Sequence, residues 1–177
     1  EEDREADTDL FSPKKKKSKG DTAASPVSKE NLAIAKSWLA SSDEYNLLVN
    51  GTAITAFPVY YQNDLALLRQ SLRIVQAGTE VAEVKGKDLI PAHGLAMSRL
   101  LKTSVFSTEA LTYEQAIAYL RKEAIVLPPS VPKGYVLVTY KEIPLGFVKN
   151  IGNRANNLYP QEWRIRSGYL PDDIRTL

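Results

Sequence analysis

Cations, side-chain amides and aromatic rings alternate between residues 145 and 166, which read LGFVKNIGNRANNLYPQEWRIR. Lysine and arginine can pair with phosphates, asparagine amides can contact sugar or base edges, and aromatic rings can stack on unpaired bases. This combination is typical of a surface that binds nucleic acid. The candidate contact residues are Lys149, Asn150, Arg154, Asn156, Asn157, Tyr159, Arg164 and Arg166. We expect phosphate contacts from the cations and sugar or base contacts from the asparagines.

A purely structural interpretation of the same stretch stays open. Asparagine and glycine tolerate a left-handed backbone, so residues 151–157 could form a turn-rich loop. Residues 163–166 are predicted to form a strand, in which side chains alternate between the two faces. Trp163 and Ile165 would then join Phe147 in the core of a small barrel, and the two arginines of the strand would face outward.

The distribution of charge agrees with binding of a polyanion near the C-terminal end. The whole chain has a formal net charge of only +2. Residues 133–168, however, contain six lysines or arginines against two glutamates. This local excess favours a modest phosphate-facing patch.

The first 28 residues differ in composition from the rest of the chain. They pair an acidic block with a lysine run at residues 14–17 and contain almost no apolar side chains. Such a segment cannot bury enough apolar surface to fold, so residues 1–28 are predicted to be a disordered linker. Order is expected to begin with a helix that Ser28 caps and that places Trp38 in the core.

Between residues 45 and 85 the pattern predicts two hairpins and a helix. Asn50-Gly51 joins two β-prone runs and favours a two-residue type I′ turn. Asn63 could cap a helix whose Leu65, Leu68 and Leu72 share one face. A second hairpin is predicted across Ala77-Gly78, between residues 74–76 and 79–84.

The remaining segments predict two helices and a second group of strands. Pro91 suits the first turn of a helix over residues 91–102. Thr112 and Gln115 have the spacing of a capping box, which opens a helix expected to bury Ala116, Ile117 and Leu120. Strands are predicted at residues 135–140 and 143–149, joined by Lys141-Glu142, and again at residues 163–166. These features predict an α+β chain with a small, strongly bent sheet or pseudo-barrel at its C-terminal end.

The composition excludes several kinds of chemistry. The chain has no cysteine and one histidine, which removes disulfides, thiol nucleophiles, thiolate zinc sites and multi-histidine metal sites. No catalytic or nucleotide-binding motif is present, so we expect no enzyme activity, no cofactor and no metal in this chain. His93 is interpreted as a partly buried residue bonded to nearby backbone, although a deep pocket lined with perturbed titratable groups around it would revive a small-molecule enzyme. No apolar run reaches the length of a membrane span, and we expect a cytoplasmic protein without a membrane partner.

Two segments resemble the C-terminal region of RsmF-like proteins, the Sun-related bacterial RNA 5-methylcytosine methyltransferases. GKDLIPAHGLAMSRLL, at residues 86–101, is similar to the end of the small domain that precedes the terminal module. Residues 111–166, which include LTYEQAIAYLRKEAI and KGYVLVTYKEIPLGFVKNIGNRANNLYPQEWRIR, resemble the terminal PUA-like module itself. The resemblance implies a small α+β domain at residues 29–105 and a PUA-like β pseudo-barrel with a flanking helix at residues 106–177.

The resemblance also implies what this chain does. In that family an upstream domain binds S-adenosylmethionine and uses two cysteines, which this chain lacks. The chain is therefore expected to be an accessory region that binds structured RNA, with rRNA as the expected partner, and positions it for the catalytic domain of the same polypeptide. The alternative is a protein-interaction module that packs on the catalytic domain and touches little RNA.

Overall fold

The structure, a computed structural model, describes residues 27–168. Residues 1–26 and 169–177 lie outside the described part, and with them nearly all of the predicted linker. The described residues form two four-stranded sheets. The helices are α1 (Lys29–Ser37), α2 (Gln62–Ser71), α3 (His93–Ala96) and α4 (Tyr113–Leu120). The strands of the first sheet are β1 (Tyr45–Asn50), β2 (Ala53–Pro58), β3 (Thr79–Lys85) and β4 (Asp88–Pro91). Those of the second are β5 (Ser107–Ala110), β6 (Gly134–Tyr140), β7 (Ile143–Asn150) and β8 (Ala155–Asn157).

The first sheet is an antiparallel meander that begins after α1. The Ser28 side chain accepts a hydrogen bond from the backbone N–H of Asn31, so the predicted N-cap is confirmed. Trp38 is also in the core, with 6% of its surface exposed. Its ring packs against Phe106, 5.3 Å away between centroids. The first helix was therefore predictable from local signals.

The hairpin and helix around β1, β2 and α2 differ in detail from the prediction. Asn50 pairs with Ala53, so the turn residues are Gly51 and Thr52. Only Gly51 of these two has a positive φ, and a type I′ turn needs both. In α2 only Leu65 is buried. Asn63 does not cap α2 but lies inside it, because the 3₁₀ turn Val59–Tyr61 leads directly into the helix.

Two predictions in this region were wrong, the hairpin across Ala77-Gly78 and the helix over residues 91–102, whereas residues 79–84 lie in a strand as expected. Residues 74–76 form no strand, and β3 pairs instead with β2 and β4. Pro91 is the last residue of β4, which pairs with β3. The helix α3 has a single turn, from His93 to Ala96. The pairing of β4 with β3 therefore overrode the helical pattern that residues 91–102 show in isolation.

The second sheet begins with a strand, helix and strand. β5 runs parallel to β6, and α4 connects them. The predicted capping box is present, with Thr112 and Gln115 bonding each other's backbone. α4 buries Ala116 as expected. Its other buried residue is Tyr119, whereas Ile117 and Leu120, which are predicted to be buried, are not. The sequence pattern missed Tyr119 because tyrosine at a helical core position is indistinguishable from a surface tyrosine.

The order of the second sheet is β5-β6-β7-β8, so that β5 and β8 are its edges in the described residues and no closed barrel forms there. Lys141 and Glu142 have φ angles of 48° and 67° and form the predicted tight turn between β6 and β7. The fold is thus α+β, with a mixed small domain and a PUA-like sheet with a flanking helix.

The two sheets share a core. Leu137 and Phe147 of the second sheet pack in the same apolar cluster as Ile54 and Val81 of the first sheet and Leu95 of α3. A second cluster, around Tyr119 and Val136, lies between α4 and the second sheet. The sheets lie on either side of residue 106, but the domain boundary placed there stays a prediction.

The predicted strand at residues 163–166 does not form. Gln161–Trp163 is a 3₁₀ turn, and the following residues have no regular secondary structure. Trp163 is 60% exposed and Ile165 also lies at the surface, so neither belongs to the core. The segment instead completes the end of α4, where the N–H of Ile165 donates to Leu120 O at 2.9 Å. Satisfying the last carbonyls of that helix replaces the expected pairing.

Candidate nucleic-acid interface

The eight predicted contact residues fall into two groups. Four have exposed side chains, while the other four make contacts within the protein. The exposed ones are Arg154, Asn156, Arg164 and Arg166. The RNA-binding role of all eight stays a prediction, but the structure determines which of them have free hydrogen-bonding capacity.

Asn150 is buried, with 6% of its surface exposed. Its Nδ2 donates to Val131 O at 3.0 Å and to Pro132 O at 3.1 Å, and its Oδ1 accepts from the N–H of Gly152 at 3.0 Å. These three bonds fasten the proline-rich segment before β6 to the end of β7. The amide therefore has a structural partner at each position where a base edge would bind.

Asn157 has a similar role at the other end of β8. Its Nδ2 donates to the carbonyl oxygens of Tyr119 and Glu123, at 2.8 and 3.0 Å. Its Oδ1 accepts from the N–H of Tyr159 at 2.9 Å. The side chain thus caps the C-terminal end of α4, whose last carbonyls have no partner within the helix.

Lys149 and Tyr159 also have partners inside the protein. Lys149 Nζ lies 2.6 Å from Asp88 Oδ2. The Tyr159 ring packs edge-on against His93 and Tyr119, at 5.1 and 5.4 Å between centroids. Its carbonyl oxygen accepts from Lys122 Nζ. Both residues are therefore part of the contacts that join α4, the first sheet and the C-terminal segment.

Three arginines line one surface cavity of about 350 Å³, formed by the end of α4 and residues 164–168. They are Arg121, Arg164 and Arg166, and Glu123 provides the only carboxylate that the described residues place on its wall. Arg121 donates through one terminal nitrogen to Ser167 O at 2.9 Å. Its Nε is buried and has no hydrogen-bond partner among residues 27–168. A cavity lined by three arginines and one glutamate has an excess of positive charge, which favours an oxyanion ligand.

Arg121 was not among the residues predicted from sequence. It follows α4 directly, as the C-cap residue. A cation at a helix C-terminus is usually explained by the helix dipole alone, and Arg121 lies outside residues 145–166. The signal that could have found it is the chain's return to α4, which cannot be read from local sequence.

The expected hydrogen bond between His93 and nearby backbone does not form in the described residues. Its ring lies edge-on to both Tyr159 and Trp163, with centroids 5.1 and 5.3 Å away. Its Nδ1 is buried and has no hydrogen-bond partner in the described part of the chain. Burial lowers the pKa of His93, which favours the neutral imidazole.

Comparison with known proteins identifies relatives of this region. Residues 106–165 match the family model described as the methyltransferase RsmF PUA domain. The chain is 29% identical over 138 residues to ribosomal RNA small subunit methyltransferase F of Enterobacter sp. (strain 638), an alignment that covers 78% of the chain and 27% of that protein. It is 28% identical over 99 residues to ribosomal RNA small subunit methyltransferase F of Klebsiella pneumoniae (strain 342), which covers 56% of the chain and 20% of the relative.

These matches confirm the resemblance seen in the sequence, because they show that the chain carries an RsmF-like PUA accessory region. The alignments span about a quarter of the length of the curated relatives, 27% and 20%. In the part that the structure describes, no helix is both long enough and apolar enough to traverse a lipid bilayer.

Proposed function

We propose that this RsmF-like PUA region binds structured rRNA and positions it for a methyltransferase domain of the same polypeptide. The observation that carries the proposal is the cavity lined by Arg121, Arg164 and Arg166. Both curated relatives are named as small-subunit rRNA methyltransferases, which supports rRNA as the partner. A phosphodiester oxygen is the RNA group that best matches a cavity lined by three arginines.

The geometry suggests a modest contribution to affinity. Arg121, Arg164 and Arg166 surround the cavity, and Arg154 is exposed after β7. About four phosphate contacts give a salt slope of roughly −3 to −4 in log K against log salt concentration. Binding by this region alone is therefore weak and sensitive to ionic strength, and the rest of the parent protein adds further contacts.

Catalysis would lie outside this chain. We propose that the parent transfers a methyl group to carbon 5 of cytosine, with S-adenosylmethionine as the donor and with cysteines that this chain lacks. The chain's own residues do not fit that cofactor. In residues 27–168 the strand–helix–strand unit with parallel strands is β5-α4-β6, and Leu111-Thr112 rather than a glycine-rich turn joins its first strand to its helix. The parent would act on rRNA in the cytoplasm.

A titration of structured rRNA fragments at several salt concentrations tests the proposal. Arg164→Ala combined with Arg166→Ala should weaken binding at least tenfold and reduce the salt slope by nearly two. Arg121→Ala should weaken it further, because Arg121 lines the same cavity. Lys141→Ala, in the turn between β6 and β7, is the matched control, since it removes one cation that is outside the cavity. Affinity that ignores ionic strength would contradict phosphate binding.

Exposed apolar side chains on α2 and beside it favour a second candidate function, a protein-interaction module. Leu67 is 65% exposed and Tyr60 is 84% exposed, with Leu68 and Leu72 also at the surface. Such a cluster is typical of a surface that contacts another protein or domain. Mixing this chain with the separately produced catalytic part of the parent would distinguish the two functions. A stable complex without RNA, lost in Leu67→Ser with Leu72→Ser, would favour the interaction module.

A further inference from the structure

A larger cavity, of about 650 Å³, lies between the first sheet and the segment that follows β8. One wall comes from the first sheet and α3, and includes Glu80, Glu83 and His93. The opposite wall comes from Lys122 and from residues 158–163, which follow β8 and include Trp163. Its volume is within the range of pockets that hold small organic ligands. The cavity is separate from the arginine cavity, since the two share no lining residue.

One side of this cavity carries a preformed aromatic surface. Trp163 is 60% exposed and is held edge-on against His93 at 5.3 Å between centroids. His93 is in turn edge-on to Tyr159, which packs against the buried Tyr119. The Trp163 backbone is fixed as well, because its N–H donates to Pro160 O at 3.3 Å. A rigid, exposed indole is suited to stacking on a flat ligand without a large loss of conformational freedom.

The other side of the cavity is acidic. Glu80 and Glu83 both come from β3. The cations on the wall are Lys85 and Lys122, and Lys122 already donates to Tyr159 O. Carboxylates accept hydrogen bonds and repel phosphate. Burial raises the pKa of Glu80, and repulsion by Glu83 adds to this effect, so a ligand that donates a hydrogen bond would relieve both.

We propose that this cavity binds an unstacked nucleobase that bears an exocyclic amino group, with the ring on Trp163 and the amino group directed to Glu80 or Glu83. An aromatic platform opposite acceptors matches the way unpaired bases are recognised by stacking and by hydrogen bonds to their edges. This inference rests on the proposed RNA-binding function, and it adds the first sheet to the contact surface. RNA phosphates would lie at the arginine cavity, and one base would lie between the first sheet and Trp163.

Tryptophan fluorescence provides the test, because the chain has two tryptophans and Trp38 is buried. Single-stranded oligocytidine and oligouridine of equal length, and free cytidine and uridine, are titrated into the full chain. Oligocytidine and cytidine should quench the emission more strongly than their uridine counterparts, since uracil has no exocyclic amine. Trp163→Phe should abolish the emission change, and Trp163→Ala should weaken oligocytidine binding about tenfold.

Two carboxylate variants test the edge contact. Glu80→Ala with Glu83→Ala should remove the preference for cytidine over uridine, while Glu44→Ala, outside the cavity, should retain it. If RNA binds with the expected salt dependence but neither Trp163 emission nor Trp163→Ala affinity changes, the base-binding proposal is wrong and the phosphate proposal stands. If cytidine quenches Trp163 while no RNA binds, the cavity is a nucleoside site and the proposed RNA function is wrong.

Discussion

Lys149 Nζ lies 2.6 Å from Asp88 Oδ2 and joins the second sheet to the first, across 61 positions of sequence. The lysine also lies over the Tyr135 ring, 5.6 Å from its centroid. The hydrogen bond to Asp88 raises the pKa of Lys149, so the ammonium stays charged in this pair. Lys149, which is predicted to bind phosphate, is therefore paired with a carboxylate of β4, a strand of the other sheet.

Asp88→Asn should release Lys149 for RNA. We expect the affinity for rRNA fragments to rise severalfold and the salt slope to increase by nearly one, because one more cation can neutralise a phosphate. The free energy of unfolding should fall by less than about 1 kcal/mol, since the pair is largely exposed to solvent. RNA titrations at two salt concentrations and urea unfolding measure these changes. Adding Lys149→Met should cancel the gain in affinity, and an unchanged affinity in Asp88→Asn alone would show that Lys149 is distant from the RNA.

Asn156 and Asn157 are adjacent and chemically identical, yet they should respond differently to substitution. Asn157→Ala leaves the carbonyls of Tyr119 and Glu123 without their side-chain donor, so we expect a loss of about 1–3 kcal/mol in the free energy of unfolding. Asn156→Ala should change it by about 0.5 kcal/mol or less, because that side chain is exposed. Urea unfolding of both variants compares them directly. Equal stability of the two variants would contradict the capping role of Asn157.

These asparagines illustrate how much of the candidate site the sequence could predict. The residue types in 145–166 correctly indicate the capacity for hydrogen bonds, but not their partners, which come from α4 and from the segment before β6. Asn150 and Asn157 are hydrogen-bonded within the chain, while Arg121 enters the site from outside the stretch. Partners that are distant in sequence decide which polar groups stay available.

The fold shows the same division between local and distant determinants. Thr112 and Gln115 are three positions apart, and Lys141-Glu142 forms its own turn, so both features were predictable. Trp163 was expected in the core because large apolar rings usually are buried. Its actual position depends on the return of the chain to α4, where residue 165 donates to Leu120 O. No periodicity in residues 163–166 reports that contact.

Gly146 should be the glycine of the second sheet that is least tolerant of substitution. Its φ is +142°, and a Cβ there would overlap the Tyr119 hydroxyl and lie 2.9 Å from His93 Nδ1. We expect Gly146→Ala to destabilise the protein by roughly 2–4 kcal/mol, through backbone strain and overpacking. Gly51→Ala is the control, since its φ is also positive but its Cβ would have no atom of the described chain within 4 Å, and it should lose only about 1 kcal/mol. Thermal unfolding compares them, and adding Tyr119→Phe should recover part of the Gly146→Ala loss because it removes the hydroxyl that overlaps.

His93 should make the stability of the fold decrease as the pH falls below the ordinary imidazole pKa of about 6.5. Burial lowers the pKa of His93 in the folded state, so the unfolded chain takes up the proton first as the pH falls. The stabilising contribution is therefore complete above the unfolded pKa and is lost as the pH falls through the lower, folded pKa. Glu80, Glu83, Glu162 and Lys122 line the same cavity. The raised pKa of Glu80 changes the stability in the opposite direction, at a pH nearer the ordinary carboxyl value of about 4.5.

His93→Phe keeps a ring against Tyr159 and Trp163 but cannot be protonated, so its free energy of unfolding should fall less than that of the native chain as the pH falls below about 6.5. Urea unfolding at several pH values measures both proteins, and parallel pH profiles would show that His93 is equally easy to protonate in the folded and unfolded states.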